Sequence, residues 1–283
     1  MRISGHNTYI KQRKKVSSLL TLINAYLPMS QALLLIDQVD KNFGGVQAVN
    51  SLSFSIQHSE IVGLIGPNGS GKSTMVNLIS GTVPVSAGAI HFNGRSLNTS
   101  SISDRVEQGL ARTFQTTSLF PEFTVLEQVL LACHSSFKSK PVGSIFRTNV
   151  AFVEEKEQVK KALELIRFVG LSEVVDALAS SISSAQQRLL MIATALASDP
   201  LLVLLDEPAA GMVAKERKDL AQLILGIRER GISVLVIEHH MGLIMEVCER
   251  IVVLNFGQKI AEGTPESIRN NPAVIDAYLG GTH

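Results

Sequence analysis

The 283 residues carry 26 Lys+Arg against 25 Asp+Glu, with 45% hydrophobic and 5% aromatic residues, two cysteines and no tryptophan. This is the composition of a soluble globular protein with room for one large α/β domain or two small ones. A net charge of +1 gives no support to a nucleic-acid partner bound through a strongly basic surface, and no uninterrupted apolar run reaches the roughly 18 residues of a membrane-spanning helix.

Residues 1–31 hold five cations (Arg2, Lys11, Arg13, Lys14, Lys15) and no acid, which leaves residues 32–283 at a net −4. The leader therefore reads as a separate basic N-terminal extension, poorly ordered as termini often are. Its alternatives are an amphipathic helix that touches anionic lipid or a membrane partner, and a secretory signal. No A-x-A-like cleavage site follows it, and Met29 offers a second start. Cys133 and Cys248 lie too far apart for a metal knuckle or a C-x-x-C pair, which fits a reduced, cytoplasmic protein.

In the body, Leu33–Val39 and Ser51–Gln57 read as strands, the second alternating Leu52, Phe54 and Ile56 with polar neighbours. Ile61–Ile65, Leu201–Leu205 and Ile232–Ile237 are unbroken apolar runs, as in parallel strands buried on both faces. Ala89–Phe92 is a short strand before the turn Asn93-Gly94. From about 116 to 190 the pattern turns helical. Glu154–Val169 predicts a helix with acids in its first turn, Val159, Leu163, Ile166 and Val169 on one side, and Gly170 to stop it. Ser135–Asn149 reads as an exposed loop, Ile251–Glu262 as a hairpin and Pro272–Leu279 as a helix. The expected architecture is an α/β core with a front antiparallel β-subdomain and an inserted helical subdomain, in one domain over 32–283.

The strongest local signal is Gly66-Pro67-Asn68-Gly69-Ser70-Gly71-Lys72-Ser73-Thr74, directly after the apolar run Ile61–Ile65. In such a P-loop the glycines let backbone N–H groups turn inward around a polyphosphate. The lysine supplies a point charge to the β- and γ-phosphates, and Ser73 offers a hydroxyl to Mg²⁺. A glycine-rich strand-to-helix turn is the plainer alternative, but it does not call for the lysine and the hydroxyl together. Leu201–Leu205 then delivers Asp206 and Glu207 at a strand's C-terminal end, where open parallel sheets bind ligands. Asp206 suits a metal, and Glu207 suits orienting or deprotonating an attacking water. Without the phosphate loop such a pair would read as a helix cap and its neighbour.

With Gln115 in Ala111–Gln115, the segment 182–187, Asp206-Glu207-Pro208 and His239 in the same order, residues 32–281 resemble ATP-binding-cassette (ABC) ATPases of the P-loop NTPase fold. The likeness runs nearest to the branched-chain amino acid uptake subfamily, through Ala111–Gln115, Asp206–Gly211, Ile237-Glu238-His239 and the tail Asn271–Gly280. Urea-uptake ATPases share part of it. The resemblance implies ATP and Mg²⁺ as ligands, with catalytic tasks for Lys72, Gln115, Glu207 and His239. Phe43 would stack on adenine, Gln115 would reach Mg²⁺ or the lytic water, and His239 would bond the γ-phosphate. His240 stands where the family usually has Asp and receives no task.

The family's Leu-Ser-Gly-Gly-Gln signature is here Ile182-Ser183-Ser184-Ala185-Gln186. Ser183 keeps a phosphate-binding hydroxyl and has capping-box spacing to Gln186, while Ala185 puts a Cβ where the backbone normally nears phosphate. Val213 replaces an Asp or Asn, and Thr194 replaces a common Arg. The resemblance implies head-to-tail pairing with a second cassette subunit, expected to form an asymmetric heterodimer. It also implies two integral membrane permease subunits, contacted in part through Phe120-Pro121-Glu122-Phe123, and an extracytoplasmic substrate-binding protein reached indirectly. The expected place is the cytoplasmic face of the inner membrane, peripherally, and the expected task is ATP hydrolysis that energises uptake of branched-chain or other hydrophobic amino acids. The alternatives are a urea or amide importer, a low-turnover regulatory subunit and a cassette acting on DNA or ribosomes.

Overall fold

Two sheets organise the chain, and their strands are apolar for different reasons. The computed structural model describes residues 32–113, 119–135 and 149–279. The basic extension, most of the expected 135–149 loop and Gln115 lie outside them.

The first half runs β1 (Leu34–Phe43), β2 (Val46–Ile56), β3 (Ile61–Ile65), α1 (Lys72–Ser80), β4 (Ala87–Phe92), β5 (Arg95–Ser96), α2 (Ile102–Glu107) and β6 (Leu110–Arg112). Helices α3 (Val125–Ser135), α4 (Asn149–Phe168) and α5 (Ser184–Leu196) follow, then β7 (Leu202–Asp206), α6 (Ala214–Glu229) and β8 (Ser233–Ile237). The chain closes with α7 (Met241–Val247), β9 (Arg250–Asn255), β10 (Gln258–Gly263), α8 (Pro265–Arg269) and α9 (Pro272–Leu279).

The front sheet is antiparallel in the order β2-β1-β4-β5. Its first hairpin is longer than the sequence pattern indicates: β1 continues to Phe43 and β2 starts at Val46, with Phe43 opposite Val46 across Gly44-Gly45. Register shifts between Ile36 and Val39, and again on either side of Lys41, break the alternation. A period-2 reading therefore loses the strand at that point.

The central sheet has the order β10-β9-β3-β8-β7-β6, parallel throughout except for the β9–β10 hairpin. Every residue of β3, β7 and β8 is buried, as their apolar runs require. Pleating sorts them onto two faces. Ile61, Ile65, Val203, Leu205, Val234 and Val236 join the core that includes the helical insertion. Val62, Leu64, Leu202, Leu204, Leu235 and Ile237 join the core under the front sheet and α1. β3 is thus clamped on both sides, which holds the turn at its C-terminal end in place.

The insertion differs from expectation in one helix. α4 begins at Asn149 rather than Glu154, so Glu154 and Glu155 fall beyond its first turn, which holds no acid. Its inward stripe is Ala162, Leu165, Ile166 and Val169, and Leu163 is exposed. Both stripes satisfy a 3.6-residue period; packing against α3 and α5 selects the one with the small Ala162 at the contact. Gly170, at φ 81, ends the helix as expected. Gly170 N donates to Arg167 O at 3.1 Å and Leu171 N to Ile166 O at 2.9 Å, a Schellman closure. α5 runs on to Leu196, past the expected limit near 190. Among the described residues no helix is long and apolar enough to cross a membrane.

Candidate functional site

Immediately after β3 the chain can turn only because two positions lack a side chain. A Cβ on Gly66 (φ 151) would stand 2.1 Å from Leu254 O, and one on Gly71 (φ 101) would stand 2.7 Å from Ala48 O. Gly71 is the N-cap of α1 and offers no side-chain cap, and the first turn of α1 contains no acid. Its N–H groups therefore remain for an external anion, favoured by the helix dipole.

Lys72 arches back over this loop. Its Nζ donates to Gly66 O at 2.7 Å and to Pro67 O at 3.0 Å. Burial pushes its ammonium pKa down, while Glu207 and Asp206 pull it up. Among the described residues Ser70 Oγ is buried without a hydrogen-bond partner, and a phosphate oxygen would satisfy it. Residues 68–74, Glu207, the start of β2 at Val46 and Gln47, and Phe256-Gly257 enclose a cavity of about 370 Å³. Ser73 and Thr74 stand on its wall beside Asn68, Gly69, Ser70 and Lys72. Uncapped N–H groups, a buried cation and an orphaned hydroxyl are the donor set of an anion site, and the adjacent carboxylates complete one suited to a phosphate-bound divalent cation.

Asp206 ends β7, buried to 4% exposure, with Oδ2 accepting from Arg112 Nη2 at 2.9 Å. The same guanidinium donates to Asn77 Oδ1 at 2.8 Å and Ser80 Oγ at 3.0 Å. Arg112 thereby ties the acid to α1. Glu207 leaves the strand with φ 49, a left-handed conformation that costs a non-glycine residue about 1–3 kcal/mol. Three bonds hold it there: its N–H donates to Ile237 O at 2.8 Å, and its carbonyl accepts from Arg188 Nη1 at 3.1 Å and from Ala210 N at 3.2 Å. The strain turns the Glu207 side chain off the sheet and onto the cavity wall. Arg112 and Arg188 were not singled out by sequence, because the segments they bridge are distant along the chain.

Other expected site residues stand apart from the cavity. Phe43, 47% exposed, lies beyond its wall with Lys41 Nζ 4.8 Å from the ring centroid, whereas Phe256, which the sequence places only in a hairpin turn, is part of the wall. His239 follows β8 with an exposed side chain. His240, which had no assigned task, caps α7 through Nδ1, accepting from Leu243 N at 3.2 Å. Tyr278 on α9 reaches the phosphate loop: burial pushes its phenol pKa up, offset in part by a hydrogen bond with the Gly66 backbone.

Ser183 and Gln186 form the capping box that their spacing predicts. Ser183 Oγ accepts from Gln186 N at 3.2 Å, and Gln186 Oε1 accepts from Ser183 N at 2.9 Å. Ala185 is an ordinary helical residue against the helical core, so α5 starts without a signature glycine. At the start of α6 only half of such a box exists: Glu216 Oε2 accepts from Val213 N at 2.9 Å, and Val213 has no oxygen to return. Val213→Asp is expected to raise stability by about 1 kcal/mol, read as a higher midpoint of denaturant unfolding. An unchanged midpoint would show that solvent already satisfies those amides.

Comparison with known proteins gives concordant results. The family model described as "ABC transporter" matches residues 49–210, and "Branched-chain amino acid ATP-binding cassette transporter" matches residues 258–283. The high-affinity branched-chain amino acid transport ATP-binding protein LivG of Salmonella typhimurium is 40% identical over 253 residues, 89% of this chain and 99% of that protein. BraF of Pseudomonas aeruginosa, of the same description, is 38% identical with the same coverage. A nucleotide-free ATP-binding cassette from an ABC transporter superposes with a TM-score of 0.76 at 31% identity, covering 88% of this chain and 99% of that one. The ADP conformation of an ATP-binding cassette of an ABC transporter gives 0.77 at 31% identity, with the same coverage.

Proposed function

Because the chain belongs to the ABC transporter family, as an ATP-hydrolysing subunit of such a complex, we propose that it energises the import of branched-chain amino acids. The observation that carries the reading is convergence on one cavity: the uncapped end of α1, buried Lys72 and the strained Glu207 all face it.

In this reading the loop 66–74 holds the polyphosphate, with Lys72 exchanging its carbonyl partners for phosphate oxygens. Ser73 and Asp206 hold Mg²⁺, with Gln115 from outside the described residues. The ion supplies charge neutralisation at the β- and γ-phosphates. Glu207 orients and deprotonates the attacking water, and His239 donates a ring N–H to the γ-phosphate. Phe43 stacks on adenine, which requires the base to extend beyond the cavity wall along the β1–β2 turn. Ser183 and Gln186, which do not line this cavity, serve the site of a second cassette subunit. Ala185 and Val213 make that lent half weaker, which favours an asymmetric heterodimer. Two permease subunits, engaged in part by the exposed Phe120 and Phe123, hold the assembly on the cytoplasmic face of the membrane. An extracytoplasmic binding protein delivers the substrate to them.

The test is to purify the complex through a tag on this chain, reconstitute it in liposomes and add its binding protein loaded with leucine. Leucine uptake and ATP hydrolysis are expected to rise together. Stimulation by urea or an amide in place of leucine would overturn the substrate assignment. ATP hydrolysis unaffected by Lys72→Ala would make this chain the low-turnover partner.

A further inference from the structure

Glu238 is a buried carboxylate for which the reaction above has no use. It follows β8 directly and is 1% exposed, and among the described residues no Lys or Arg pairs with it. Three backbone N–H groups donate to it instead. Oε1 accepts from Ala209 N at 2.7 Å, while Oε2 accepts from His239 N at 3.1 Å and His240 N at 3.2 Å.

These amides belong to two different segments. Ala209 lies in the turn after Glu207, where Ala210 N donates to Glu207 O at 3.2 Å and Met212 N to Ala209 O at 3.1 Å. His239 and His240 lie in the turn after β8. The β7–β8 ladder joins the two strands as far as Asp206 opposite Ile237, with Glu207 N still reaching Ile237 O at 2.8 Å. Beyond that point the strands end, and Glu238 continues the link through its side chain. Each oxygen of the carboxylate serves one of the two turns, whereas a side-chain amide in its place would offer an oxygen to one turn and an NH₂ donor to the other.

We propose that Glu238 is a positioning residue that makes the turn after Glu207 and the His239 turn a single mechanical unit. The water-activating carboxylate and the γ-phosphate contact then take their places together. A displacement of the 209–213 segment by a second cassette is transmitted to His239 through this side chain. The inference rests on the roles given above to Glu207 and His239.

Glu238→Gln is the informative variant, because it preserves shape but leaves one acceptor oxygen and sets an NH₂ against the amides of one turn. In the complex purified through this chain, kcat is expected to fall about 10²-fold, the scale of a small misplacement of reacting groups. Affinity for Mg-ADP should stay within about twofold, with a narrowed preference for Mg-ATP over Mg-ADP. Glu238→Asp, which keeps both oxygens, should recover part of kcat. An unchanged kcat in Glu238→Gln, or a loss of Mg-ADP affinity parallel to the loss of kcat, overturns the proposal. His239→Ala is measured alongside: if it leaves kcat intact, the role of His239 fails, whereas loss in His239→Ala with none in Glu238→Gln sinks the coupling alone. Should Glu238→Gln not fold, hydrogen exchange on the wild type decides. Segments 207–210 and 238–241 should gain protection together on adding Mg-ATP, and protection of only one overturns the link.

Discussion

Glu207→Gln lowers ATP turnover by about 10²–10⁴-fold, the contribution of a positioned general base, while ATP binding persists. The side chain borders the phosphate cavity, and the amide keeps its size but cannot accept a proton from water. Binding persists because the phosphate-holding groups, the α1 N-terminus and Lys72, are untouched. The φ 49 backbone of residue 207 is held by Ile237 O and Arg188, neither of which depends on the side chain. The measurement is single-turnover hydrolysis together with equilibrium binding of Mg-ATP. Turnover within a few-fold of the wild type would remove Glu207 from the chemistry, and a parallel loss of binding would make its role structural.

Arg105→Met lowers the stability of the fold by about 2–4 kcal/mol, because several buried carbonyls lose their donor and each costs about 1–3 kcal/mol when left unsatisfied. Among the described residues the hydrogen-bond partners of the buried Arg105 guanidinium are backbone carbonyls. Nη1 donates to Leu78 O and Ile79 O at 2.7 Å each, Nη2 to Leu97 O at 2.6 Å and Nε to Ser100 O at 3.3 Å. Leu78 and Ile79 belong to the last turn of α1, so the cation sits at the negative end of the helix whose other end faces the phosphate. Burial pushes the guanidinium pKa down, but its ordinary value is so high that the group stays charged. Gly81 makes room for it: at φ 84, a Cβ there would stand 2.7 Å from Arg105 Nε. Lysine cannot replace the planar fork, so Arg105→Lys should be nearly as unstable. Denaturant unfolding checks both variants, and a loss below about 1 kcal/mol would mean that water replaces the guanidinium at those carbonyls.

The parts of the site that were legible in sequence are local ones. Gly66 to Thr74 is a continuous stretch whose chemistry needs only its own backbone and the strand before it. Asp206 and Glu207 are legible because an apolar run ends on them, and the Ser183–Gln186 capping box because its partners are a helical turn apart. His239, Phe43 and Gln115 carried a role only through family resemblance, since a lone histidine, phenylalanine or glutamine has no spacing to read. Leu163 was assigned to the wrong side of α4 because two stripes fit one period, and only the neighbouring helices distinguish them.

What stayed hidden is what joins distant segments. Arg112 meets Asp206 across 94 positions, Arg105 meets Leu78 across 27, and Glu238 meets Ala209 across 29. In the linear sequence Arg105 reads as surface charge, and Arg112 and Glu238 stand inside family-like segments that give them no task. By itself the sequence determined the apolar runs that form buried strands, the phosphate loop and the acids at a strand end, because those depend on neighbours within a few residues. Only the tertiary structure decided which buried charges brace that site, because a charge can stay inside only where several backbone or side-chain partners from other segments arrive together.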